Sequence, residues 1–280
     1  MLIRVAKQNI YVIFGCMNDR RDQAIEGIQK LAASLIATSP AGHRLCLIGG
    51  FRYRLLNHSC RTSLDIDYHW DGNLDRKQME IVDLLRSKLL PEVKRHFGYE
   101  GTVARAAGSD AESPFVRTVS AAFHRTGEKP DRIELPVEIT SILCLDKPVV
   151  RTVTGTVYLT ASDPDMIESK VIALFNRVFL AERDILDIFL FQDSFVSDSA
   201  ERLRKKFASL HINPASVADQ YARLLPNRRV HMRAIDEIIK DQVDAAVAAN
   251  LNAAGGGAMI LDAVVALLKD RLGIPERLGA

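Results

Sequence analysis

The stretch Gly49-Gly50-Phe51-Arg52-Tyr53-Arg54-Leu55-Leu56-Asn57-His58-Ser59-Cys60-Arg61-Thr62-Ser63-Leu64-Asp65-Ile66-Asp67-Tyr68 decides how this chain is read. Its end alternates apolar and polar residues, so residues 64–70 are expected to form a strand. On a strand, Asp65 and Asp67 point to one side with Cα atoms about 6.5–7 Å apart, and Leu64, Ile66 and Tyr68 point to the other. Two carboxylates on one face repel unless a cation lies between them. Mg2+ or Mn2+ suits such a pair, because hard ions take carboxylate oxygens together with substrate phosphate oxygens. Two such ions about 3.5–4 Å apart clamp the attacking and leaving oxygens of an in-line displacement.

The residues ahead of the acidic pair have the chemistry to hold phosphate. Residues 44–48 read as a short strand running into Gly49-Gly50, with a helical start after it. Two glycines at a helix opening let backbone N–H groups approach an anion with no Cβ in the way. Arg61 and Ser63 then offer a charged fork and a hydroxyl. An acidic pair alone is most often a solvated strand face, and Gly-Gly alone is a tight turn. The order strand, Gly-Gly, helix, Arg-x-Ser, Asp-x-Asp is what carries specificity.

Farther along, Glu134 and Glu138 fall on one face of a strand expected over residues 132–141, and only one is needed as a third carboxylate. Pro136 cannot donate a ladder hydrogen bond, which places this strand at a sheet edge or at a bulge. Lys170 and Arg177 are seven residues apart and project from one helix face, where they can neutralise phosphate charge. Asp184 and Asp187 share a face, and Asp184 is expected to pair with Arg183 in helix packing.

Ala24, Ile25, Ile28, Leu31, Ala32, Leu35 and Ile36 recur at helical spacing, so residues 19–39 are expected to form an amphipathic helix ended by Pro40. Asp75 is a candidate cap for a helix running to Leu90, which Pro91 interrupts or kinks. Further strands are expected over residues 115–124 and 155–160, with turn-rich stretches such as Gly127-Glu128-Lys129-Pro130 between. Ser162 caps a helix opened by Asp163, Pro164 and Asp165, and helical periodicity then runs to the end. Its breaks fall near Asn213-Pro214, Pro226-Asn227 and the glycines at 255–257. The chain therefore divides into a mixed α/β half, residues 1–160, and an all-helical half, residues 161–280.

Composition excludes several classes. A chain of 280 residues that is 48% hydrophobic and 26% charged has a packed core rather than disorder. With 37 Lys+Arg against 35 Asp+Glu it is no polycation, so a basic surface needs local segregation. Residues 201–240 show some, with nine Lys or Arg against four Asp or Glu. Arg202, Arg204, Lys205, Lys206, Arg228, Arg229 and Arg233 form clusters able to meet an RNA backbone. Cys16, Cys46, Cys60 and Cys144 lack zinc spacing and read as free thiols of a cytoplasmic protein. Residues 9–16 are too short for a secretory signal. Asn252, Asp262 and three glycines break the apolar run over 251–268, so no membrane association is expected. No zinc-type histidine spacing, GxSxG, P-loop or GxGxxG is present, and His58 and His69 read as ordinary surface or core histidines.

Gly49-Gly50, fourteen residues, then Asp65-x-Asp67 with Arg61-x-Ser63 just ahead resembles the AbiEii/AbiGii toxin branch of the nucleotidyltransferase superfamily, which also holds the polymerase-β-like enzymes. That branch has a third carboxylate on a later strand, then a lysine helix, then Arg-Asp-x-x-Asp. Glu138 between Val137 and Ile139, Lys170 ahead of Arg177, and Arg183-Asp184-Ile185-Leu186-Asp187 match in order. The resemblance covers roughly residues 45–191. It implies an α+β fold, a polymerase-β-like core with a mixed sheet followed by a helical C-terminal domain. It implies Asp65, Asp67 and Glu138 as metal ligands, with Glu134 the rival for the third place. Gly49, Gly50, Arg61, Ser63 and Lys170 would bind the triphosphate, and Asp187 would orient Lys170 or bind substrate.

The activity implied is transfer of NMP from an NTP, by the toxin of a bacterial toxin–antitoxin or phage-defence pair. The acceptor implied is RNA, first the tRNA 3′ end, and the partner an antitoxin. A protein hydroxyl is the alternative acceptor, and a nucleotide-binding regulatory module without catalysis the alternative class. Two departures stand out. Gly49-Gly50 lacks the hydroxyl of the commoner Gly-Ser, and the bulky, basic Phe51-Arg52-Tyr53-Arg54 is expected to alter the nucleotide entrance.

Overall fold

Helix α1 (Arg20–Ala37) buries Ala24, Ile28, Ala32 and Ile36, the stripe its spacing predicts, and a 3-10 turn at Pro40–Gly42 follows. The structure is a computed structural model describing residues 20–106, 115–125, 131–177 and 180–274. Cys16, position 19 and the turn at 127–130 lie outside the described residues. Strand β1 (Cys46–Ile48) runs into helix α2 (Gly49–Leu56), as the double glycine implied. Strand β2 (Ile66–His69) is shorter than expected. Ile66 and Tyr68 are buried on one side, Asp67 stands on the other, and Asp65 precedes the strand rather than sharing it.

Helix α3 (Leu74–Leu84) corrects the expected cap. Asn73 accepts the Arg76 N–H at 2.8 Å, while Asp75 lies in the first turn and pairs with Arg117 at 2.6 Å. The helix is interrupted just ahead of Pro91, as expected, without ending there. A π turn over Leu85–Leu89 leads into helix α4 (Leu90–Phe97), with Pro91 in its opening turn.

The remaining strands are β3 (Glu100–Arg105), β4 (Val116–Arg125), β5 (Asp131–Thr140), β6 (Val149–Val153) and β7 (Thr156–Thr160). Among the described residues, seven strands make one mixed sheet in the order β3-β4-β5-β2-β1-β7-β6. Strands β3 and β6, which the sequence reading missed, form its two edges. Strand β5 is interior, against the expectation from Pro136. Its pairing with β2 begins only at Val137, so Pro136 lies in the half of β5 that β2 leaves uncovered.

Helix α5 (Asp163–Asn176) is capped by Ser162, whose Oγ accepts the Asp165 N–H at 3.1 Å. Helices α6 (Glu182–Leu190), α7 (Ser199–Ser209), α8 (Pro214–Leu224), α9 (Arg228–Gln242), α10 (Ala245–Ala253) and α11 (Gly256–Ala266) follow. The breaks at Asn213, Asn227 and Gly255 are those expected, but those between α5 and α6, between α6 and α7, and at 243–244 are not. Buried apolar side chains form one cluster within residues 24–158 and another within 167–274. A small third cluster of Ile48, Tyr53, Ala161 and Met166 bridges them, with Tyr53 stacked on Phe191 at 3.9 Å.

Two members of the basic cluster turn inward. Arg202 binds Asp146, Asp165 and Glu168, and the fully buried Lys206 binds Asp165 and Glu168 at 2.7 and 2.8 Å. Buried charge persists only when paired, so these two hold α7 to α5 and to the loop at Asp146 rather than facing a ligand. Arg228 pairs with Asp262, while Arg204, Arg229 and Arg233 are exposed. Among the described residues no single helix is long and apolar enough to cross a membrane, and the apolar pair Ala245–Ala253 and Gly256–Arg271 bends by 75°.

Candidate active site

The double glycine is where the motif segments meet. Gly49 has φ +76°, and a Cβ there would overlap the Asp67 carboxylate. A Cβ on Gly50 would come within 2.6 Å of Ser63 Oγ and 2.7 Å of Arg61 Nη2. Only glycine meets both demands, since L side chains avoid positive φ and no room exists for one. Gly49→Ala is therefore expected to lose thermal stability by at least about 1–3 kcal/mol and to lose activity with it. A circular-dichroism melt matching wild type would contradict this.

Strand pairing sets the carboxylates. Asp67 lies between Ile48 of β1 and Glu138 of β5 in the register. Asp65 accepts the Ser63 hydroxyl at 2.5 Å. Burial, with the charges of Asp65 and Glu138, pushes the Asp67 carboxyl up to about 8, against the opposing pull of Lys170 and Arg183. Glu134 is elsewhere: it stands opposite Ala122, exposed, and pairs with Arg132 at 2.7 Å.

Among the described residues, no three His, Cys, Asp or Glu side chains meet at a point suited to a metal ion. The donor set still fits one. Asp65, Asp67 and Glu138 are hard oxygen donors, and a divalent cation would relieve the repulsion that raises Asp67.

Behind the carboxylates lies a buried ion network. Arg61 Nε and Nη2 donate to the two oxygens of Asp187 at 2.7 and 2.9 Å. Lys170 Nζ lies 2.9 Å from Asp187 and 3.1 Å from Asp184. Burial pushes the Lys170 ammonium down, but the two aspartates outweigh it and hold it above the ordinary lysine value. Arg61 is buried with its fork closed on Asp187, so it braces Gly50 instead of lying open to solvent.

Asp184 does not pair with Arg183. It is fully buried and accepts from Lys170 and from Arg177 Nη1, the latter at 2.7 Å, because helix α6 turns it toward α5. Arg183 is exposed, and its charge reaches Asp67. The sequence signal for this residue was the arginine adjoining two buried acids, read only as packing.

The bulky residues after the glycines do not line an entrance. Phe51, Arg52 and Tyr53 are buried, and Arg52 binds Asp163 and Thr160 at 2.5 and 3.0 Å. Backbone helicity turns them inward to fasten α2. His69 Nδ1 accepts the Ile142 N–H at 3.1 Å, and burial holds its pKa low, whereas His58 is exposed at φ +54°.

No protein-family model matches this chain, and no curated protein does. Solved structures do resemble it. JHP933 from Helicobacter pylori is 15% identical, with 94% of this chain and 99% of that chain covered and a TM-score of 0.51. MenT4, a nucleotidyltransferase toxin from Mycobacterium tuberculosis H37Rv, is 16% identical over 93% of this chain and 88% of that one, with a TM-score of 0.53. This likeness establishes the fold: an α+β nucleotidyltransferase architecture with a helical C-terminal part.

Proposed function

We propose that this protein is a metal-dependent nucleotidyltransferase, which moves NMP from an NTP to an RNA hydroxyl and releases pyrophosphate. One observation carries the reading: Gly49-Gly50 packs directly under Asp67, Ser63 and Arg61, with Glu138 beside Asp67 in the sheet. Asp65, Asp67 and Glu138 would hold magnesium, which would supply neutralisation of phosphate charge and activation of the attacking hydroxyl. The N–H groups opening α2 and the Ser63 hydroxyl, which now donates to Asp65, would bind the triphosphate. Lys170, oriented by Asp187 and Asp184, and the exposed Arg183 add the positive charge that phosphoryl transfer needs. Arg61 keeps its place in the site as the brace of Gly50.

The likeness to MenT4, a toxin, supports a growth-arresting role with a cognate antitoxin. For the acceptor, RNA is favoured over protein by the exposed Arg204, Arg229 and Arg233 on the helical half. The tRNA 3′ end is the first candidate.

The two glutamates of β5 test the assignment. With an α-labelled NTP, Mg2+ and total RNA, Glu138→Gln is expected to lose transfer by about a hundredfold or more. Glu134→Gln, whose site is a surface ion pair, is expected to stay within about twofold of wild type. Equal losses, or a loss confined to Glu134→Gln, would overturn the placement.

A further inference from the structure

The loop from Ser59 to Ser63 has no strand partner in the sheet, since β2 pairs only from Ile66 onward. It is instead held from three directions. From α6, Asp187 grips the Arg61 guanidinium. From α1, the buried Gln29 donates Nε2 to the Ser63 carbonyl at 2.7 Å. From the break between α9 and α10, the Gln242 carbonyl accepts the Thr62 N–H at 2.8 Å, and the Asp244 N–H donates to the Cys60 carbonyl at 2.9 Å. Arg61 and Val243 thereby form a single antiparallel β-rung. Arg54 closes the clamp, donating from Nη1 to the Ser59 carbonyl at 2.7 Å and to Asp244 at 2.9 Å.

Asp244 is placed tellingly. It stands at the N-cap of α10, where an aspartate ordinarily accepts a backbone N–H of its own helix. It makes no such bond and turns to Arg54, 190 residues away in sequence. The helical half thus gives up one of its own caps to hold a loop of the α/β half.

We infer that Gln29 and the 242–244 segment are positioning elements for nucleotide binding, fixing the Arg61–Ser63 loop over Gly50 without touching the substrate. This rests on the reading of Gly49-Gly50 and Ser63 as the triphosphate cradle. A loop ordered in advance spares the substrate the entropy of ordering it, so nucleotide affinity in the α/β half is set in part from the helical half.

Asp244→Pro tests the strap without straining it. Asp244 has φ −51°, close to the proline value, and Val243 is extended at φ −110° and ψ 139°. The change removes both the N–H given to Cys60 and the carboxylate given to Arg54. Gln29→Leu removes the bond from the other side. The probe is a fluorescent, non-hydrolysable NTP analogue with Mg2+ on the full chain, alongside hydrogen exchange at the Thr62 amide. Asp244→Pro and Gln29→Leu should each weaken binding about tenfold. Asp244→Asn, which keeps the N–H, should weaken it far less, and Thr62 should exchange faster in Asp244→Pro than in Asp244→Asn. Unchanged affinity in both variants overturns the inference, and so does unchanged Thr62 exchange in Asp244→Pro. An analogue that fails to bind wild type overturns the nucleotide reading instead.

Discussion

Replacing Asp67 with asparagine will abolish transfer while making the metal-free protein more stable at pH 8. The folded protein holds this carboxyl up at about 8, through burial and the neighbouring charges of Asp65 and Glu138. An unfolded chain releases the same proton near pH 3.9. Between those values the folded state binds the extra proton, so stability falls as pH rises across the window. By pH 8 most of that penalty, on the order of a few kcal/mol, is in place. Asparagine removes it, and a chain of this size gains roughly 2–4 °C in Tm per kcal/mol. Thermal unfolding in EDTA from pH 5 to 9 should show the wild type declining and Asp67→Asn nearly flat. Mg2+ should rescue the wild type alone, while transfer by the variant falls about a thousandfold or more. An asparagine variant less stable than wild type in EDTA at pH 8 would contradict this.

Asp187→Asn will cost about 3–5 kcal/mol of stability at pH 7, the usual loss when one member of a buried ion pair is removed. Arg61 and Lys170 would both be left short of their shared counter-charge, 2.7 and 2.9 Å away. Burial works against the Asp187 carboxylate, but Lys170 and Arg61 prevail and hold it below the ordinary aspartate value. A depressed carboxyl stabilises above its unfolded pKa and loses that contribution as pH falls through its folded value. The gap between wild type and variant should therefore be full at pH 7 and close only in acid, below about pH 4. Thermal unfolding at pH 7 gives the full gap, and a series at successively lower pH below about 4 follows its closing. A gap under about 1 kcal/mol at pH 7, or one that widens in acid, would show that the network does not brace the site.

The residues that proved legible in the sequence are those whose meaning is local. Gly49-Gly50 can be read because a strand-to-helix turn needs positive φ, and Asp67 because alternation with Ile66 and Tyr68 decides its side. Ser162 announces itself as a cap through the acids that follow. What stayed hidden depends on partners far away in the chain. Nothing near Arg61 tells that Asp187 will close its fork, or that Gln242 and Asp244 will strap its loop. Arg202 and Lys206 look like surface charge until Asp165 and Glu168 are seen beneath them. The edge strands were missed for a related reason. Val103 alone in β3 is buried, and β6 leaves Val150, Arg151 and Thr152 exposed, so neither shows a core-facing alternation. Asn73 caps α3 where Asp75 was expected to, because both residue types make good caps and only backbone geometry chooses between them.

The most direct test is label transfer. The protein would be incubated with each α-labelled NTP, Mg2+ and total cellular RNA with protein, beside Asp67→Ala. Label should enter the RNA fraction with wild type only, and from a preferred NTP. Label entering protein instead would keep the chemistry and change the acceptor. No label in either fraction, with the NTP still bound by wild type, would contradict catalysis and leave a nucleotide-binding module on a nucleotidyltransferase fold.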